Sequence, residues 1–327
     1  MGFNVYVTRA IPEPGPAILR RACQVVDVNP QDAVLTRAEL LQTIAGRHGL
    51  VVTGQDRIDR EALDAAGDAL RAVANYAVGY DNVDLPAMTA RGIGFSNTPD
   101  VLTEATADLT WALLLSAARR IAEGDRFVRS GRWQGWGPMQ MLGLDVAGRT
   151  LGIVGAGRIG CAVARRSVGF GMEVLYANRS PRPELERQCG ARRTNLDGLL
   201  MRSDFVTVHL PLTEQTRHII GGKELALMKP TAVLVNTSRG PVVDEEALAV
   251  ALREGRIAAA GLDVFEAEPT VHPELLRLDN IVLVPHLGSA THETRAKMGE
   301  VAAGCLVAML KGECPPQCLN PQVFRRP

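Results

Sequence analysis

The chain has 327 residues, enough for about two domains of ordinary size. Hydrophobic residues make up 46% of it and charged residues 22%, which excludes a disordered chain. Lys and Arg number 36, as do Asp and Glu, whereas a nucleic-acid-binding domain carries a concentrated positive field.

The opening MGFNVYVTRA lacks a basic segment followed by an apolar stretch, so a cytoplasmic enzyme is expected. Short apolar runs then alternate with helical patterns, as in a parallel sheet with crossover helices. Strands are expected at 4–9, 24–28, 50–53 and 70–76, with helices at 36–45 and 60–66 between them. This first unit carries no phosphate-binding glycine loop. A long helix follows, capped by Thr103, carrying Glu104 in its first turn and running without proline through Arg129. Its apolar stretch 111–118 is bounded by Asp108 and Arg119–Arg120, far too short to span a membrane. Being apolar all round, it should be buried, against both domains or a second subunit.

After a loop at 131–143 that holds Trp133 and Trp136, a second α/β unit begins at Leu151. Six strands are expected, at 151–154, 173–177, 205–208, 232–235, 257–262 and 281–284, each with polar residues at its carboxyl end. Open α/β sheets bind ligands along that edge. The last forty residues hold a helix at 291–310 and a proline-rich tail. These cannot form a domain alone, so they should return to the N-terminal unit. Cys23, Cys161, Cys189 and Cys305 are scattered through apolar or helical patterns, as reduced thiols are. Only Cys314 and Cys318 are close, in CPPQC, a spacing open to a disulfide or half a metal site, but no second His or Cys pair accompanies them to complete a metal site.

The most informative motif is GAGRIG, which follows the strand at 151–154 and opens a helix. Gly155 permits the tight turn, Gly157 lets backbone approach a pyrophosphate, and Gly160 allows close helix–strand packing. About twenty residues on, a carboxylate would bind the ribose hydroxyls of NAD. Asn178 stands there instead, followed by Arg179, Ser180 and Arg182, groups suited to a 2′-phosphate. NADP(H) is therefore expected in preference to NAD(H). Arg239, Glu268 and His286 also fall at carboxyl ends of strands, where a guanidinium can hold a carboxylate and an imidazole can exchange a proton.

GAGRIG, NTSRGPVVDEEAL (236–248), GLDVFEAEP (261–269) and PHLGSAT (285–291) together resemble the signatures of the D-isomer-specific 2-hydroxyacid dehydrogenases. NYAVGYDNVD (75–84) is similar to that family's substrate loop, and ATADLTWALLL to its interdomain helix. The likeness runs along nearly the whole chain. The 131–143 loop and the Asn178–Ser180 turn resemble most its glyoxylate/hydroxypyruvate reductases. The resemblance implies two doubly wound parallel-sheet domains: a dinucleotide-binding Rossmann domain at 100–287 inserted in a discontinuous, flavodoxin-like substrate domain at 1–99 and 288–327. It also implies reduction of a small 2-keto acid to the 2-hydroxy acid by a homodimer, with neither nucleic acid nor membrane as partner. His286 would be the acid/base, Glu268 its partner and Arg239 the anchor for the substrate carboxylate and carbonyl. Val78 and Gly79 would offer N–H groups to the carboxylate, and Trp136 would wall the pocket, its region reaching into the neighbouring subunit's active site. Thr106 and Asp263 would lie around the nicotinamide and Leu210 and Pro211 near the adenosine. Arg158, Ile159, Thr216, Thr237 and Gly288 complete the expected cofactor set. Phosphoglycerate, a bulkier 2-keto acid, formate or phosphonate remain alternative substrates on the same fold. A catalytically silent dinucleotide sensor is the alternative from another class.

Overall fold

The computed structural model describes residues 2–31 and 33–325. They form two compact units, Met1–Leu102 with Ala290–Pro327, and Thr103–Ser289. Both are built on a purely parallel sheet.

In the first unit, strands β1 (Asn4–Val7), β2 (Val25–Val28), β3 (Gly49–Val52), β4 (Ala72–Asn75) and β5 (Gly94–Ser96) lie in the order β2-β1-β3-β4-β5. The central β3 and β4 are buried along their length and read as continuous small apolar runs, as strands covered on both faces do. The helix Arg37–Ile44 starts at a capping box in which Thr36 and Glu39 exchange side-chain and backbone bonds. The helix His292–Leu310, capped by Thr291, returns to this sheet. Its Ala302, Ala303, Leu306, Met309 and Leu310 share one core with Val5, Leu19, Val51, Ala72 and Ala74. Strand β5 was not expected: three residues, one of them glycine, carry no readable period.

The second unit has seven strands, β6 (Thr150–Val154), β7 (Glu173–Ala177), β8 (Arg192–Arg193), β9 (Phe205–Val208), β10 (Val233–Asn236), β11 (Ala259–Leu262) and β12 (Ile281–Leu283), in the order β12-β11-β10-β9-β6-β7-β8. The chain winds outward from β6 in both directions, which opens a crevice at the carboxyl ends of β6 and β9. The two-residue β8 escaped the six-strand expectation because it is wholly exposed and charged.

The long helix expected through Arg129 is two helices, Thr103–Ala118 and Ile121–Arg129, and Thr103 is the first helical residue. Arg120, at φ 53°, takes the left-handed conformation between them. The cause lies 24 residues downstream: the Leu144 N–H takes the Ala118 carbonyl (2.8 Å), which a continuing helix would have used itself. The apolar helix Thr103–Ala118 is buried largely by its own unit: Leu113, Leu114 and Ala117 pack with Leu151, Ile153 and Val233. Trp111 stacks on Phe170 at 4.7 Å and donates its indole N–H to the Val163 carbonyl (3.0 Å). Among the described residues no helix is long and apolar enough to cross a membrane.

Candidate active site

The carboxyl edge of the second sheet begins with the glycine loop. Gly155 sits at φ 95°, and a Cβ there would lie 2.8 Å from the His209 carbonyl. A Cβ on Gly160 would lie 2.3 Å from the Gly155 carbonyl, so this glycine lets the helix Arg158–Arg166 close onto β6. Around Gly157 there is open space, which leaves room for a ligand to approach the backbone. Arg158, Ile159 and Gly160 form the first turn of that helix, whose free N–H groups favour an anion.

Next to this loop lies a residue that was passed over in the sequence. His209 follows β9, and both its ring nitrogens are buried without a hydrogen-bond partner among the described residues. Burial pushes its pKa down to about 3, so the ring is neutral. An orphaned polar ring beside an open glycine loop fits a polar ligand bound there. Leu210 abuts Gly155, and the Thr216 hydroxyl closes the next turn on the Pro211 carbonyl (2.7 Å).

At the end of β7 the Asn178 side chain donates to the Ser180 carbonyl (2.8 Å), forming a tight turn with Arg179 and Ser180 exposed. Arg193, on the unexpected β8, holds the turn from behind through the carbonyls of Asn178 (3.1 Å) and Arg179 (2.7 Å). Arg182 is exposed, yet its Nε donates to the Ala156 carbonyl (2.7 Å), linking the turn to the glycine loop.

The ends of β10, β11 and β12 bring the remaining residues together. Asn236 takes the N–H and hydroxyl of Ser238 and donates to the Arg239 carbonyl, which shapes the Thr237–Arg239 turn. A Cβ on Gly240 would lie 1.9 Å from the Phe265 carbonyl carbon, so glycine lets this turn lie directly on the loop that carries Glu268. Glu268 Oε2 meets His286 Nδ1 at 2.9 Å, and its Oε1 accepts the Phe265 N–H (3.1 Å). Burial alone would raise the Glu268 carboxyl. The His286 contact, the Phe265 N–H and the Arg239 charge outweigh it and hold the group below its ordinary value. His286 has φ 54°, a conformation that costs a β-carbon residue about 1 kcal/mol, and its N–H donates to the Asp263 carbonyl (2.9 Å). Half its side chain stays exposed.

Asp263 ties the same loop from inside, accepting the N–H groups of Leu287 (2.5 Å) and Gly288 (2.8 Å). Burial raises its carboxyl to about 6 despite those bonds. The Gly288 carbonyl accepts from the Thr106 hydroxyl (3.0 Å), and the hydroxyls of Thr110 and Thr237 share a bond of 2.8 Å. Val78 and Gly79 belong to the other unit. There the Asn97 and Asn75 side chains donate to their carbonyls (2.7 and 2.8 Å), which fixes the peptide planes of that loop. Trp136 is 84% exposed and makes no wall within its own unit.

Residues 111–288 match the model of the D-isomer specific 2-hydroxyacid dehydrogenase, NAD binding domain. The chain belongs to that family. It is 52% identical to a glyoxylate reductase of Thermococcus onnurineus over 325 residues, which cover 98% of this chain and 97% of that one. Among solved structures, this dehydrogenase resembles a Thermus thermophilus protein at TM-score 0.90 and 45% identity, covering 97% of this chain and 99% of the other. It also resembles an NADPH-dependent glyoxylate/hydroxypyruvate reductase of Sinorhizobium meliloti, solved with NADP and malonate, at TM-score 0.84 and 35% identity. That match covers all of this chain and 99% of the other. The chain is therefore an NAD(P)-dependent oxidoreductase with a dinucleotide-binding Rossmann unit.

Proposed function

We propose that the enzyme reduces glyoxylate and hydroxypyruvate to glycolate and D-glycerate, with NADPH preferred over NADH. The observation that carries this reading is the contact of His286 with Glu268 beside Arg239, on the sheet edge that also holds the glycine loop. The glyoxylate reductases among its relatives support the substrate class.

When bound, the reduced nicotinamide supplies the hydride for the carbonyl carbon. Glu268, held ionised, accepts from Nδ1–H of His286, which leaves Nε2 to donate the proton to the carbonyl oxygen. The exposed half of the imidazole lets solvent return that proton. Arg239 anchors the substrate carboxylate and stabilises charge developing on the carbonyl oxygen. Val78 and Gly79, in the substrate domain (1–99 and 288–327), bind the carboxylate through backbone N–H groups. Domain 100–287 binds the dinucleotide, with the pyrophosphate at Gly155–Gly160, the adenosine near Leu210, Pro211 and Thr216, and the nicotinamide near Thr106, Thr237, Asp263 and, just past the domain boundary, Gly288.

The cofactor preference rests on the Asn178 turn. No carboxylate stands there to repel a 2′-phosphate, while Arg179 and Ser180 face solvent where one would sit and Arg182 braces the loop. In segment 121–143, Ile121, Val128, Trp133, Trp136, Met139 and Leu142 are all exposed, which supports a homodimer that covers them. Cytoplasmic residence completes the reading.

The test is His286→Ala. It should lose roughly 10²–10⁴-fold in kcat while NADPH affinity, read by fluorescence titration, stays unchanged. Turnover that survives the substitution would remove His286 from the proton transfer.

A further inference from the structure

The thiols of the C-terminal tail lie outside the site described above. In Cys314-Pro-Pro-Gln-Cys318 a turn closed by the Cys318 N–H on the Pro315 carbonyl (3.0 Å) folds the segment back on itself. The two prolines fix φ at successive positions, so the turn is stiff. On this turn the Cys314 thiol donates to the Pro315 carbonyl (3.9 Å), and it stands near enough to Cys318 to raise that thiol. The two are unequal. Cys314 is exposed, whereas Cys318 is partly buried and lies with its sulfur 3.5 Å from Asn320 Oδ1. A third thiol, Cys305, is buried on the helix beneath and donates to Gln317 Oε1 (3.4 Å).

The pair also has a firm seat. Cys318 bridges Ser96 of β5, and the Leu319 N–H donates to the Phe95 carbonyl (2.8 Å). Buried Asn320 accepts the Phe95 N–H (2.8 Å) and donates to the Ile93 carbonyl (2.8 Å). One sulfur is thus fixed against the sheet edge while the other stands in solvent a turn away.

We propose that Cys314 and Cys318 are an oxidisable dithiol, a modification site at which a peroxide converts the pair to an intramolecular disulfide. The Cys314 thiolate attacks one peroxide oxygen; the O–O bond breaks, hydroxide leaves, and the sulfur is oxidised to a sulfenic acid. The Cys318 sulfur then attacks the Cys314 sulfur, the S–O bond breaks, and the oxygen leaves as water with the Cys318 proton. In sum, two thiols and hydrogen peroxide give one disulfide and two waters. Closing so short a loop costs little chain entropy, so the bond adds little stability and opens again readily to a thiol reductant. Burial raises the thiols of Cys318 and Cys305, the latter to about 11, so exposed Cys314 reacts first and Cys305 is spared.

The experiment treats the whole enzyme with hydrogen peroxide and follows its intact mass, then maps peptides. A loss of two hydrogens is expected, located to a peptide with Cys314 joined to Cys318 and reversed by dithiothreitol. Cys318→Ser should instead retain oxygen on Cys314, and Cys314→Ser should show neither product. Three results would overturn the proposal: the same mass loss in Cys314→Ser, chains crosslinked through Cys314, or both thiols still free when free cysteine in the same solution is oxidised.

Discussion

The two units share a parallel sheet, yet two glycines in the strands of the first serve a different purpose from three at the carboxyl edge of the second. In the first unit a Cβ on Gly49 would meet the ends of Leu310 (3.1 Å) and Leu306 (3.2 Å), and one on Gly94 the ring edge of Phe324 (2.6 Å). These glycines make room for the returning helix and tail, which is a matter of side-chain packing. At three positions on the carboxyl edge of the second unit the obstacles are backbone: the His209 carbonyl for Gly155, the Gly155 carbonyl for Gly160 and the Phe265 carbonyl carbon for Gly240. There, glycine brings loop against loop at the carboxyl edge, which is where the chemistry is proposed. The loops differ as well. Neutral amides, Asn75 and Asn97, tie the Val78–Gly79 loop, whereas a buried carboxylate, Asp263, ties the His286 loop. At these positions the contacts can yield where strand packs on helix and tail, and are rigid where loops meet at the carboxyl edge.

The sharpest way to break this contrast is a pair of glycine substitutions. Gly240→Ala drives its methyl into backbone and should cost about 3 kcal/mol or more of stability, with kcat falling too as Arg239 shifts from Glu268. Gly49→Ala meets only flexible leucine ends and should stay within about 1 kcal/mol by urea denaturation. Equal costs would sink the distinction.

The buried carboxylate makes the second unit pH-sensitive. Because the folded Asp263 is raised from 3.8 to about 6, its contribution to stability is fully present below its unfolded value and is lost as pH rises through about 6. Compared with Asp263→Asn, the parent should therefore lose on the order of 2–3 kcal/mol of relative stability between pH 4 and 7. A difference that does not change with pH would show that Asp263 titrates normally.

Smaller effects separate cofactor from substrate. Arg179→Ala should lower the NADPH over NADH ratio of kcat/KM about tenfold, the share of one charge-assisted bond. An unaltered ratio would mean that Arg179 does not meet the 2′-phosphate. In the first unit, Asn97→Ala removes a single neutral bond to the Val78 carbonyl. It should raise KM for the keto acid roughly fivefold and leave KM for NADPH alone. An effect on NADPH instead would detach this loop from the substrate.

Much of this was legible in the sequence where the cause is local. The glycine loop, the missing carboxylate at Asn178 and the apolar strands each declare themselves within a few residues. What was not legible is what distant segments impose. The meeting of Glu268 with His286, which the family resemblance implied but spacing alone did not show, depends on neighbouring β11 and β12 and on the approach that Gly240 permits. The helix break at Arg120 comes from Leu144, and the bracing of the cofactor turn from Arg193 on a strand too short to read. His209 was in view after β9, but only burial without a partner marks it out.

The most direct test of the central reading is the initial rate of NADPH oxidation at 340 nm with glyoxylate and with hydroxypyruvate, set beside NADH under the same conditions. The account predicts rapid oxidation of NADPH with both acids and a slower rate with NADH. Tight dinucleotide binding without turnover of either acid would contradict it and leave the second unit a binding site without this chemistry.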